Sequence, residues 1–224
     1  MSPSSVVRER PILFSAPMVR AILAGTKTQT RRVVRHAGQT VPSARSVATG
    51  VYPIGELGWF VDWPRDYGTR RARRCPYGGP GDRLWVRETF CPAYFDGGRP
   101  GYRADYDASR VGDVVPEPTW KPSIFMPRAL SRITLEVTEV CVERVQAITE
   151  EDARAEGVRS HNGQWCGGPH PIKGTPKHFP AAKDGYRDLW DSINAKRPGC
   201  AWADNPWVWV VSFRRLEVAH AAAE

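Results

Sequence analysis

Residues able to do chemistry concentrate in one short run, Ile22-Leu23-Ala24-Gly25-Thr26-Lys27-Thr28-Gln29-Thr30-Arg31-Arg32. An apolar helical turn stops at Gly25, where a left-handed backbone suits a helix end. The chain then reverses just before Lys27, which sets Lys27, Thr28 and Thr30 on a rigid corner. A lysine amine held beside a hydroxyl is one of the few ways to activate a weak nucleophile. On an ideal strand residues 27 and 30 would point to opposite faces, so they converge only if the backbone turns between them. The bland alternative is a solvated lysine and an ordinary strand hydroxyl.

A second group follows Thr149-Glu150-Glu151-Asp152. A threonine with an acid three residues on is a capping-box-like helix start, with Asp152 replacing the usual Glu or Gln. Gly157 ends this helix, which leaves Glu156 at its C-terminal end. A carboxylate there runs against the helix dipole, which favours a functional reason for it over a plain surface acid. A third group is Arg83-Leu84-Trp85-Val86-Arg87-Glu88. Its alternation puts Glu88 on the same face as Leu84 and Val86. Burying an unpaired charge is costly, so Glu88 either pairs with an arginine such as Arg31 or faces a ligand. Arg31 is a candidate for a phosphate or a base carbonyl, and Arg87 and Glu88 are candidates to line a pocket. Trp85 and Tyr102 can stack on a pyrimidine, worth about 1–3 kcal/mol per base, although core packing is the favoured reading of each ring.

The elements that must hold these groups are short. Pro11–Phe14 reads as a buried strand, followed by a helix with Ser15 at its start and Pro17 in its first turn. Leu57–Val61 and Arg83–Glu88 read as strands, and Tyr102–Asp105 as a short one. In Ser131–Arg144, Ile133, Leu135 and Val137 alternate with polar residues, and Val140 and Val142 resume after a phase slip. Tyr186, Leu189, Trp190 and Ile193 fall at helical spacing and predict an amphipathic helix over 184–195. Trp207–Phe213 is a closing strand. Residues 36–50 and 158–180 read as loops, and 91–121 as an insertion rich in Gly, Pro and Asp. Arg70–Arg74 is a basic cluster, read as the charged edge of a sheet. Few long crossovers separate the strands, so the expected class is α+β with an antiparallel or mixed sheet curled into a small barrel.

The 224 residues suit one domain with insertions, and 41% hydrophobic residues with nine tryptophans supply a core. A net charge of +8 favours anionic partners such as nucleotides or nucleic acid. Five widely spaced cysteines form no C-x-x-C pair and suggest free thiols in a reducing compartment. Cys166, His161, His170 and His178 match no standard zinc spacing; no metal or other cofactor is expected. No segment reaches the length of a membrane span and the first residues carry no apolar signal core, so a soluble cytoplasmic chain is the expectation.

Three elements together resemble the ASCH-domain family, itself similar to the PUA superfamily of RNA-binding β-barrels. They are Ile22 to Arg31, Pro80-Gly81-Asp82-Arg83-Leu84-Trp85-Val86, and Ile148-Thr149-Glu150-Glu151-Asp152-Ala153-Arg154-Ala155-Glu156-Gly157 with the final Val-rich strand. Leu84–Glu88 and Asn205–Trp209 resemble the larger phage- and bacterium-associated branch. The resemblance implies one domain over 1–224, a PUA-like barrel flanked by helices, and insertions at about 36–75, 90–125 and 158–182. It also implies metal-independent hydrolysis of N(4)-acetylcytidine to cytidine and acetate. Carried over, Thr30 is the nucleophile, Lys27 the base and Glu156 the acid that protonates the leaving nitrogen. In a variant of this scheme Glu156 mainly orients Lys27, and a water attacks. With Thr30 as nucleophile, Lys27 must be neutral, which burial and the nearby arginines favour, and Glu156 must hold a proton. The implied ligand is a modified pyrimidine nucleoside. An RNA-binding module is the competing reading, and a ribonuclease using the loop histidines a weaker one.

Overall fold

The computed structural model describes residues 7–34, 50–53, 59–62, 72–73, 75–93, 98–106, 118–166 and 177–217. In chain order the strands are β1 (Glu9–Leu13), β2 (Gln29–Val33), β3 (Gly50–Pro53), β4 (Trp59–Asp62), β5 (Ala72–Arg73), β6 (Arg83–Arg87), β7 (Phe90–Cys91), β8 (Gly101–Tyr102), β9 (Thr134–Arg144), β10 (Arg159–His161), β11 (Gln164–Cys166) and β12 (Trp207–Leu216). The helices are α1 (Ala16–Leu23), α2 (Glu150–Ala155) and α3 (Ala182–Asn194). The class is α+β, as expected.

Five strands form the main sheet in the order β1-β6-β9-β12-β2. Only β1 and β6 pair in parallel; the other neighbours are antiparallel. Arg32 on one edge strand donates through Nη2 to the Leu13 carbonyl on the other, at 2.7 Å. The sheet therefore curls until its edges are a side chain apart. Among the described residues no backbone hydrogen bond joins β1 to β2. Where the sequence suggests a barrel, the architecture is an open, curled mixed sheet.

Both faces of this sheet are covered. On one side Ile12, Phe14, Val19, Leu84, Val137 and Val211 pack with α1. On the other Ile148, Ala153, Tyr186, Trp190, Val208 and Val210 pack around α2 and α3. Strand β12 contributes to both, which is why Trp207-Val208-Trp209-Val210-Val211 reads as an unbroken apolar run. The phase slip in β9 is a bulge: Ser212 faces Glu139 while Phe213 faces Val137, so Thr138 is left over.

Local signals explain most element ends. Thr149 accepts from the Asp152 amide at 3.1 Å and Asp152 accepts from the Thr149 amide at 3.5 Å, which completes the capping box of α2. Gly25 and Gly157 carry the positive φ expected of them, 74° and 86°. Ser15 stands at the start of α1 but its hydroxyl makes no capping bond; Pro17, in the first turn, lacks one of the amides such a cap would serve. The loop expected over 158–180 holds the antiparallel hairpin β10–β11. Asn162 and Gly163 turn it, both with positive φ, a signal for a two-residue hairpin that the loop reading passes over. Of the 36–75 insertion, β3, β4 and β5 form a separate three-stranded sheet with β5 at its edge. Arg70, Arg71 and Arg74 lie outside the described residues.

Candidate functional site

At the C-terminal end of α2 the chain would leave carbonyls without partners. The corner after α1 supplies them. Thr28 donates its amide to Ala155 O at 2.9 Å, and Lys27 Nζ donates to Glu156 O at 2.8 Å. Lys27 Nζ also donates to Glu156 Oε2 at 2.8 Å and to Gln29 O at 2.9 Å. Three acceptors match the three N–H bonds of an ammonium. The Lys27 side chain has no solvent exposure and that of Glu156 has 4%, so this is a buried ion pair between residues 129 positions apart. Gly157 permits the approach: a Cβ there would stand 3.1 Å from Lys27 Cβ and 3.0 Å from Ala21 Cβ.

Around the pair lies a wider network. Arg31 donates through Nη1 to Glu156 Oε1 at 3.3 Å, through Nε to Glu143 Oε1 at 2.8 Å and through Nη2 to Asp152 Oδ2 at 3.1 Å. Gln29 Nε2 donates to Asp152 Oδ1 at 3.0 Å and to Asp152 O at 2.9 Å. Two cations thus meet three carboxylates. Burial draws the Lys27 ammonium below its ordinary range, against the opposing pull of Glu156. Desolvation weighs against the Arg31 charge too, but Glu156 and Glu143 outweigh it and raise that guanidinium. Asp152 is also partly desolvated; hydrogen bonding from Gln29 and the Arg31 charge hold its carboxyl below the usual value. Burial, with the Glu156 charge beside it, lifts the Tyr186 phenol well above its usual value.

Strand β2 is an edge strand, and the network grips its open side. Val34 donates to Trp207 O, and Thr28 O accepts from Phe213. By alternation, residues 28, 30, 32 and 34 turn their peptide groups to β12, while 29, 31 and 33 turn theirs outward. Gln29 O, the carbonyl taken by Lys27, is one of these outward groups. The side chains alternate as well: Thr30 lies opposite Val211 of one core and Arg31 opposite Val210 of the other. A cavity of about 650 Å³ wraps this edge, within the range of small-molecule sites. Thr30 borders it from β2, Arg31 and Glu156 from the network, and Tyr186, Trp190 and Asn194 from one face of α3. Tyr77 and Leu13 border it from the β1 side.

The structure brings Lys27 and Glu156 into contact and sets Thr30 on the same cavity as Glu156. Among the described residues the Thr30 hydroxyl makes no hydrogen bond, so no direct link joins it to Lys27. Glu88 pairs with Arg132, not Arg31: Arg132 Nε donates to Oε1 at 2.9 Å and Nη2 to Oε2 at 3.1 Å. Both belong to a separate group in which Arg132 also pairs with Asp105 and lies 3.9 Å from the centre of the Tyr102 ring. Tyr102 donates its hydroxyl to Leu130 O at 2.9 Å. Arg87 donates to the Ile124 carbonyl and, with Arg128, flanks the Trp85 ring. Trp85, Arg87, Glu88 and Tyr102 do not border the cavity that holds Thr30 and Glu156.

Sequence reasoning passed over four contributors. Asp152 was legible only as a cap, and Tyr186 only as core. Gln29 and Glu143 carry no local signal beyond their polarity; Glu143 reaches Arg31 because β9 and β2 flank β12. Among the described residues no cluster of three or more His, Cys, Asp or Glu side chains could hold a metal ion. Of the zinc candidates, Cys166 Sγ and His178 Nδ1 stand 3.4 Å apart, and His170 lies outside the described residues. No described helix is long and apolar enough to cross a membrane.

Comparison with protein-family models, with curated proteins and with solved structures yields no match.

Proposed function

We propose that this chain is an ASCH-like amidohydrolase that removes the acyl group from an N(4)-acylated cytosine or cytidine. One observation carries the reading: a buried lysine–glutamate pair, at 2.8 Å, whose glutamate borders a cavity that Thr30 also borders. The resting pair is ammonium and carboxylate. Moving one proton along their shared hydrogen bond gives amine and carboxylic acid, the two states the chemistry needs. A substrate that displaces water favours that neutral pair, because desolvation penalises charge.

In the proposed sequence Thr30 Oγ1 attacks the acyl carbon and Lys27 Nζ takes its proton. The C–N bond breaks as Glu156 gives its proton to the departing cytosine nitrogen, which leaves an acyl ester on Thr30. Water, deprotonated by the same pair, hydrolyses that ester. Binding must draw Thr30 and Lys27 together, since catalytic contacts often tighten only with substrate in place.

The test is an absorbance assay of the purified protein against a panel of acylated cytidines, with and without chelator. Deacylation unaffected by chelator is expected, and Thr30→Ala and Glu156→Gln each lower kcat by about 10²–10⁴. Undiminished turnover in both variants refutes the assigned roles. Tight, salt-sensitive RNA binding without any deacylation refutes the hydrolase and favours the RNA-binding reading.

A further inference from the structure

Hairpin β10–β11 carries a second cluster of reactive side chains, none of which borders the cavity. Arg159 of β10 lies directly opposite Cys166 of β11. On the other side of β11, Trp165 and Phe179 exchange both backbone hydrogen bonds, at 2.8 and 2.9 Å. The next pair along that bridge is Cys166 and His178. It is a non-hydrogen-bonded pair, in which opposed side chains come closest. Accordingly Cys166 Sγ and His178 Nδ1 stand 3.4 Å apart. Directly opposed residues share a face, so Arg159, Cys166 and His178 form one row with the thiol at its centre. Trp165 points the other way and packs against the core around α2 and α3.

The row faces outward: Arg159 and His178 are exposed and Cys166 is half-buried. The remaining cysteines are placed differently. Cys75, Cys91 and Cys200 are buried. Burial pushes the Cys75 thiol up to about 11, and burial with the nearby Glu143 and Glu139 does the same to Cys141. Cys91 and Cys200 turn their sulfurs to the carbonyls of Ala93 and Pro198, which cannot take a proton. Cys166 instead has a base on one side and a permanent cation on the other. In the tautomer with Nδ1 unprotonated, His178 accepts the thiol proton. The thiolate so formed lies between an imidazolium and a guanidinium, the setting in which cysteine becomes nucleophilic.

We propose that Cys166, activated by His178, is a site of thiol–disulfide exchange with small disulfides that carry carboxylates, which Arg159 draws in. The Cys166 thiolate attacks one sulfur and the S–S bond breaks. A new S–S bond joins Cys166 to that half, and the departing thiolate takes the proton that His178 had accepted. The site is independent of the hydrolase reading. The test mixes the reduced full chain with the dianionic disulfide dithiobis(nitrobenzoate) and with the neutral disulfide dithiodipyridine, and follows the released thiol by absorbance. A fast phase of one thiol per chain is expected, at least about tenfold faster than reduced glutathione under the same conditions. Peptide mapping places it at Cys166, and oxidised glutathione labels the same residue first. His178→Gln slows the fast phase about tenfold, and Arg159→Gln slows the dianionic probe more than the neutral one; thermal melts verify that each variant folds. A fast phase that maps to another cysteine, a Cys166 rate no higher than that of glutathione, or an unchanged rate in His178→Gln overturns the proposal. Equal effects of Arg159→Gln on the two probes overturn the preference for carboxylates.

Discussion

Removing the charge of Lys27 and that of Glu156, singly and together, tests whether the two residues form one unit. Lys27→Met withdraws the donor from two carbonyls, Gln29 O and Glu156 O. Each loss costs about 1 kcal/mol. It also takes from Glu156 one of its two cations, leaving Arg31 at 3.3 Å. Breaking a buried pair costs about 3–5 kcal/mol, and the remaining arginine reduces this toward the lower end, so about 5 kcal/mol in all is expected. Glu156→Gln keeps the shape and an acceptor oxygen but strands the ammonium between two carbonyls. Arg31 retains Glu143 and Asp152, so the expected loss is about 3 kcal/mol. The double variant buries neither charge, and its loss is about 6 kcal/mol, short of the sum by about 2 kcal/mol. Equilibrium urea unfolding at neutral pH, read by tryptophan fluorescence with m-values checked for constancy, measures all four corners. Losses that add within about 0.5 kcal/mol would mean that the contact is not an energetic unit, and the proton-sharing pair would go with it.

Two other substitutions bear on the frame. Gly157→Ala puts a Cβ against Ala21 and Lys27 at a φ of 86°; a loss of about 1–3 kcal/mol and weakened turnover are expected, and an unchanged melting temperature contradicts the close packing. Arg132→Met leaves Glu88, 1% exposed, without its guanidinium. Burial already pushes that carboxyl above the usual carboxylate value, so at pH values between the two the folded state holds a proton that the unfolded chain has released. Its contribution is therefore full at low pH and is lost as pH rises through the folded value. In Arg132→Met the loss is about 3 kcal/mol at pH 8 and shrinks on acidification to pH 5; a penalty independent of pH in denaturant titrations rules out an unpaired Glu88 as its source.

What the sequence made legible follows the range of the forces involved. Helix ends are local, so Gly25, Gly157 and the Thr149–Asp152 cap were readable from a few neighbouring residues. The bulge in β9 was readable because a one-residue insertion flips the side-chain alternation, and Val140 betrays it. Hairpin β10–β11 was equally local, carried by Asn162-Gly163, and was missed because the surrounding composition looked like loop. Partner choice is not local. Glu88 was recognisably a charge on an apolar face, but Arg132 lies 44 positions away, and nothing in the spacing ranks it above Arg31. Likewise Glu143 meets Arg31 only because β12 seats itself between β9 and β2. The α+β class with a mixed sheet was foreseen from the short strands and few long crossovers, whereas strand order depends on register that short strands do not encode.

Asp152 answers to two masters. One carboxylate oxygen receives the amide that begins α2, and the same group anchors Arg31 and Gln29. Fraying of that helix start therefore slackens the charged cluster at once, with no compartment between scaffold and chemistry to absorb the movement. Heat should abolish ligand affinity and native ellipticity over the same few degrees, and the protein would have no warm, folded, inert state.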